Sequence, residues 1–114
     1  MGYLREFNGS ILLKVDNDEI REFSGVIKYK INGNRIQDFY GRVLYVIDGE
    51  RIKDFYGRTL LYKTYDQIKD PYGRIIAKYD STYIRDFSGM IRYKLDGFFS
   101  RRELVAVLTI LYAV

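Results

Sequence analysis

Six acidic side chains, Glu6, Glu22, Asp38, Asp54, Asp70 and Asp86, each stand three residues before a glycine, at Gly9, Gly25, Gly41, Gly57, Gly73 and Gly89. Two carboxylates held in unlike environments can divide general acid from general base work. Six copies at one repeated position meet like environments instead, which points to the capping of a turn. Asn32-Gly33, Asp48-Gly49 and Asp96-Gly97 offer further oxygens, but not the spacing that converges on calcium. The 114 residues include no histidine and no cysteine, so this chain holds no Ser-His-Asp or Cys-His set and no thiolate metal site. Its glycines match neither a phosphate-binding loop nor a dinucleotide fingerprint. The reading is therefore a non-enzyme with no cofactor and no metal. A concave pocket lined by polar residues that break the repeat would argue the other way.

A second set of residues has the character of a binding surface. Arg42, Arg58 and Arg74 each follow a glycine of the series, and Tyr40, Tyr56 and Tyr72 precede the same glycines. On alternate strands of one sheet these would line a rim at intervals of ~9–10 Å. Guanidinium forks beside phenols suit phosphate or carboxylate groups. The plainer alternative is that each arginine pairs with its neighbouring aspartate and keeps the rim hydrated. Phe7, Phe23, Phe39, Phe55 and Phe87 follow the acids directly. They are expected to fold over the end of the core, the alternative being exposed insertion into a membrane or a partner.

The elements that must position these residues follow from a period of sixteen. Six units start at Leu4, Ile20, Ile36, Ile52, Ile68 and Ile84 and fill residues 4–99 of one domain spanning 1–114. The acid-x-x-Gly segment predicts a type I turn with the glycine in a left-handed G1 bulge. Pro71, the single proline, supports it by taking the second turn position, where its fixed φ suits that turn. Asn32-Gly33, Asp48-Gly49 and Asp96-Gly97, with Asp16-Asn17 and Asp80-Ser81 as weaker relatives, predict two-residue type I′ hairpins. Between turns the apolar residues alternate, as in Ile11/Leu13/Val15, Ile27/Tyr29/Ile31, Val43/Tyr45/Ile47 and Ile91/Tyr93/Leu95, which is strand periodicity. The fourth unit breaks step over Thr59–Tyr65, where a bulge or shifted register is expected. Because the two kinds of turn differ by one residue in side-chain parity, the register stays open.

Ser100 to Val114 closes the pattern. Ser100 with Glu103 forms a capping box, and the following residues are apolar at every helical phase except Thr109, so a helix buried on all sides is predicted. It is too short to span a bilayer, which needs roughly 20 residues. The fold class is mainly β with one C-terminal helix, an antiparallel meander of about twelve short strands. Closing that sheet as a barrel around the helix leaves no bare edge. A repeat stack capped by the helix is the alternative.

This meander around a hydrophobic C-terminal helix resembles the tubby-like barrel superfamily, which includes LURP-one-related and phospholipid scramblase-like proteins. The phrases Asp38-Phe-Tyr-Gly-Arg-Val-Leu-Tyr45 and Asp86-Phe-Ser-Gly-Met-Ile-Arg-Tyr93 are similar to strand-turn-strand phrases of that family. Phosphoinositide or membrane binding is what the resemblance implies, although no ligand residue of the family can be matched position by position.

Composition narrows the partners. A net charge of +4 gives mild attraction to anions without the dense basic stripe of a nucleic-acid binder. No secretory leader pattern starts the chain and cysteine is absent, so a cytoplasmic setting is expected. The leading functional expectation is a binding or scaffold module for an anionic membrane surface or a protein. A structural repeat segment of a larger bacterial surface or toxin-like assembly is the alternative.

Overall fold

The computed structural model describes residues 1–113, and Val114, the last residue of the expected helix, lies outside them. Six strands come first, β1 (Gly2–Glu6), β2 (Ile11–Asp16), β3 (Glu19–Glu22), β4 (Ile27–Asn32), β5 (Arg35–Asp38) and β6 (Val43–Asp48). Six more follow, β7 (Arg51–Asp54), β8 (Thr59–Lys63), β9 (Gln67–Lys69), β10 (Ile75–Tyr79), β11 (Tyr83–Asp86) and β12 (Ile91–Gly97), then one helix, α1 (Arg101–Tyr112). Each strand is antiparallel to its chain neighbours, and β1 pairs with β12 from Gly2 opposite Gly97 to Glu6 opposite Tyr93. The sheet is thus a closed barrel, which removes the two edges an open meander would expose.

The acid-glycine segments form the expected bulged turns. In the third, the Gly41 N–H donates to the Asp38 carbonyl at 3.1 Å and the Asp38 N–H to the Arg42 carbonyl at 2.9 Å. Gly41 has φ +86°, a left-handed conformation, and a Cβ added there would meet nothing within 4 Å, so its requirement is purely of the backbone. One residue inside every such turn lies a second irregularity. Ile36 faces Tyr45 and Gln37 faces Val43, leaving Leu44 as an extra residue. Leu12, Lys28, Leu60, Ile76 and Arg92 are skipped in the same way. This second bulge restores the parity that the turn upsets. It also corrects the simple alternation, because Leu12, Leu60 and Ile76 join the residues packed on the core while Ile11, Ile27, Val43 and Ile91 do not.

The tight turns differ from expectation as well. Asn32 pairs with Arg35 and Asp48 with Arg51, so the two central residues begin with the glycine. Gly33 (φ 62°) and Gly49 (φ 59°) are left-handed and the residues after them are not, the type II′ pattern instead of type I′. Among the described residues only Asn17 (φ 51°) and Asp18 (φ 60°) make a type I′ pair. Asp96-Gly97 forms no hairpin. Gly97 faces Gly2 across the barrel seam, where a Cβ would collide with the Met1 carbonyl oxygen. In the fourth unit the expected bulge falls at Leu60, as it does at the equivalent residue of every unit, but the register is not shifted: Tyr62 faces Lys69 and Lys63 faces Ile68, in step with Val46 opposite Lys53 and Ile47 opposite Ile52. The ladder there is merely shorter.

The first residue of every unit points into the lumen. Leu4, Ile20, Ile36, Ile52, Ile68 and Ile84 are all at most 1% exposed, and they form one core with Ala106, Val107 and Leu108 of α1. The helix starts at the tight-turn rim with the predicted capping box: Glu103 N–H donates to Ser100 Oγ at 3.2 Å and Ser100 N–H to Glu103 Oε1 at 2.9 Å. Glu103 Oε2 also accepts from the Asp18 N–H at 3.2 Å, which ties the first turn of the helix to the β2–β3 hairpin. The buried Thr109 hydroxyl is satisfied by donating to the Val105 carbonyl at 2.8 Å. The helix is not buried on all sides. Arg101 and Arg102 are exposed and Ile110 to Ala113 are half-buried. A twelve-residue helix is ~18 Å long, close to the ~20 Å of a six-residue strand, so the wall spans it and its two ends sit at the open rims.

Two expectations test this arrangement. Leu108→Asp places an unpaired charge at a fully buried position and should abolish the cooperative thermal transition; a variant that melts as the parent does would overturn the central-helix packing. Gly41→Ala should destabilise by ~1–2 kcal/mol in urea titration through backbone strain alone, whereas Pro71→Phe, which restores the unit's usual residue, should shift the midpoint little.

Candidate functional site

Because every bulged turn joins an odd strand to the next even one, all six lie at one rim, opposite the start of the helix. There the aspartates act as clamps. Asp38 Oδ1 accepts from the backbone N–H of Tyr40 at 2.9 Å and of Arg42 at 3.0 Å, and its Oδ2 accepts from Arg42 Nε at 2.8 Å. Asp54 holds Tyr56 and Arg58 in the same way, and Asp70 holds Tyr72 and Arg74. The three arginines stand on one rim as the spacing suggested, but each is engaged by its own aspartate. Among the described residues no group of three or more acids is placed to hold a metal ion.

These hydrogen bonds govern the protonation of the rim. Burial works against ionisation of Asp38, yet the hydrogen bonds from Arg42 and Tyr40 outweigh it and hold the carboxyl below its ordinary value. Asp54 and Asp70 are lowered by the same balance. Asp86 is pulled furthest, to about 2, by the Ser88 hydroxyl first, against burial, with help from the Met90 backbone and Arg92.

The aromatic residues correct an expectation. Phe7, Phe23, Phe39, Phe55 and Phe87 do not fold over the core; all are more than half exposed, as are Tyr40, Tyr56 and Tyr72 at 82–86%. The last turn of α1 already occupies this end, where Tyr112 is pushed up to about 12 by burial and by Tyr93 nearby. The rings contact one another instead, Phe39 edge-on to Tyr40 at 5.3 Å and Phe55 edge-on to Tyr56 at 5.4 Å. The Arg74 guanidinium lies 5.9 Å from the Tyr72 ring centre.

The opposite rim carries a feature that no motif announced. A cavity of about 730 Å³ opens between the first turns of α1 and the arc from β4 to β8, with Ile31, Ile36, Ile47 and Val105 as apolar walls and Lys63 and Arg101 at its polar side. Lys63 occupies the unit position held elsewhere by Val15, Ile31, Ile47, Tyr79 and Leu95, all of them in or against the core. Burial first, then repulsion from Arg101, presses the Lys63 ammonium below its usual pKa, with Glu50 attracting it from the other direction. The signal in the sequence was the broken fourth unit, which was read as an irregularity of register.

No protein family, curated protein or solved structure matches this chain.

The clamps make stability depend on acid. A carboxyl held below its ordinary 3.8 contributes fully above that value and loses its contribution as pH falls through the folded value, about 2 for Asp86. Melting midpoints should therefore be flat from pH 7 to about 5 and fall from about pH 4 to 2. Asp86→Asn should flatten part of that fall, and an unchanged slope would contradict the clamp.

Proposed function

We propose that this chain is a non-enzymatic binding module that docks on an anionic membrane surface through its aromatic rim. The concave pocket around the repeat-breaking Lys63 is the kind of feature that would argue for an enzyme, but its lining offers one acid and no histidine or cysteine, which favours binding. The observation that carries the reading is the set of exposed rings, Phe7, Phe23, Phe39, Phe55 and Phe87 with Tyr40, Tyr56 and Tyr72, around one end of a closed barrel. Aromatic side chains favour the lipid–water interface, where the ring is partly dehydrated and a phenol stays wet. Here the rings form small groups, such as Phe39 with Tyr40 and Phe55 with Tyr56, each beside the aspartate of its own turn, which suits insertion between headgroups better than the continuous apolar centre of a protein interface. The guanidiniums of Arg42, Arg58 and Arg74 remain largely exposed despite their aspartates, so each can add a lipid phosphate to its fork. A net charge of +4 favours anionic lipid, and the anionic cytoplasmic leaflet fits the expected cytoplasmic setting. The resemblance of the sequence to the tubby-like superfamily, which implies phosphoinositide or membrane binding, supports the same reading. Among the described residues no helix is long and apolar enough to cross a membrane.

Co-sedimentation with phosphatidylglycerol vesicles should show binding that weakens as salt rises. Phe39→Ser with Phe55→Ser should reduce it roughly tenfold, and the triple change of Arg42, Arg58 and Arg74 to Ser should remove most of its salt dependence. Each set should leave the melting midpoint almost unchanged, since exposed ion pairs contribute only ~0–1 kcal/mol. Absence of vesicle binding at low salt, or binding indifferent to both sets, would overturn the reading.

A further inference from the structure

The cavity at the opposite rim has the two properties of a site for an amphiphile, and it stands independently of the aromatic rim. Its volume, about 730 Å³, falls within the roughly 300–1,000 Å³ usual for small-molecule sites. Its walls are aliphatic and come from three strands and the helix. Its charge is one-sided. Arg35, Lys63 and Arg101 line it with no ion-pair partner within 4 Å among the described residues, Arg102 is engaged by Asp18 at 3.3 Å, and Glu50 is the single acid on the lining. In five units out of six the position of Lys63 carries an uncharged side chain that contacts the core, so the fold does not need a cation there. The Lys63 ammonium is held 5.7 Å from the Tyr79 ring centre, and the Tyr79 hydroxyl in turn donates to the Thr64 carbonyl at 2.7 Å, which fixes the turn beside the cavity.

We infer that this cavity binds a carboxylate amphiphile, its anionic head between Lys63 and Arg101 and its alkyl chain along Ile31, Ile36, Ile47 and Val105. An entering carboxylate offsets the repulsion between the two cations and gives the partly dehydrated ammonium a charge-assisted hydrogen bond. The chain displaces water from aliphatic surface, which is the larger favourable contribution. A neutral or cationic head would leave Lys63 and Arg101 unmatched.

The test is calorimetry of the full chain with dodecanoate below its micellar concentration, beside dodecanol and dodecylamine of equal length. Dodecanoate should bind, and the other two should bind at least about tenfold more weakly. Lys63→Ile, which restores the aliphatic residue of the repeat, should fold with an unchanged or higher melting midpoint and lose about tenfold in dodecanoate affinity. Arg101→Gln, on the exposed first turn, supplies a second variant with the same direction of effect. Because the site lies opposite the aromatic rim, Lys63→Ile should leave vesicle binding intact, so failure here and failure of membrane docking are distinguishable. No dodecanoate binding, equal affinity for the three heads, or an affinity indifferent to both variants would overturn the inference. Loss of vesicle binding in Lys63→Ile without any free dodecanoate binding would also overturn it, assigning the head to a bilayer lipid.

Discussion

The apolar contact between α1 and the ring of Leu4, Ile20, Ile36, Ile52, Ile68 and Ile84 is the interaction on which the rest of this structure depends. Eight strands close around a space that their own side chains fill, whereas twelve enclose a wider one. Without a plug the lumen would be a void or a channel, and without the lumen the helix would be an exposed apolar rod. Each of the six ring residues contributes ~1.5–3 kcal/mol through its burial, so together they are comparable with the whole net stability of an ordinary domain. The capping box and the Glu103 contact to the Asp18 N–H then set where along the barrel the helix sits.

A repeated unit is an economical way to build such a wall, and its departures mark where the wall does something else. At the bulged-turn rim the turns share one backbone, so the surface is a circle of exposed rings with clamped arginines on three successive turns. At the other rim the fourth unit replaces an aliphatic residue by Lys63 and the hairpin shortens to a two-pair ladder. Regularity there gives way to a single concave place with its own charge. The two ends of the barrel thus have unlike chemistry although they are built from one motif.

Much of this was legible because the decisive signals are local. The acid-x-x-Gly turn, the Pro71 position, and the Ser100 and Glu103 cap each involve a few neighbouring residues, and all appear as read. Strand number and closure followed from the count of turns and the lack of a polar face on the helix. What was not legible depended on partners across the sheet. The extra residue at Leu44 and its equivalents is defined only by pairing with the neighbouring strand, and it decided which side chains face inward. The phenylalanines were read as folding over one end of the core, but the last turn of α1 takes that end, and chain length alone did not show it. Lys63 was visible as a break in the repeat, but its meaning required the helix beside it.

One further consequence follows from the seam between β1 and β12. Every other strand pair joins chain neighbours, so those ladders can form as local hairpins on the microsecond scale. The seam alone brings together residues as distant as Gly2 and Gly97. Closing a flexible loop of that length costs about 4 kcal/mol in chain entropy before any contact returns it. During synthesis the hairpins emerge well before α1, so an arc of open sheet must wait for the helix that gives it a reason to curl. In kinetic terms the wall is assembled early and the ring is completed last.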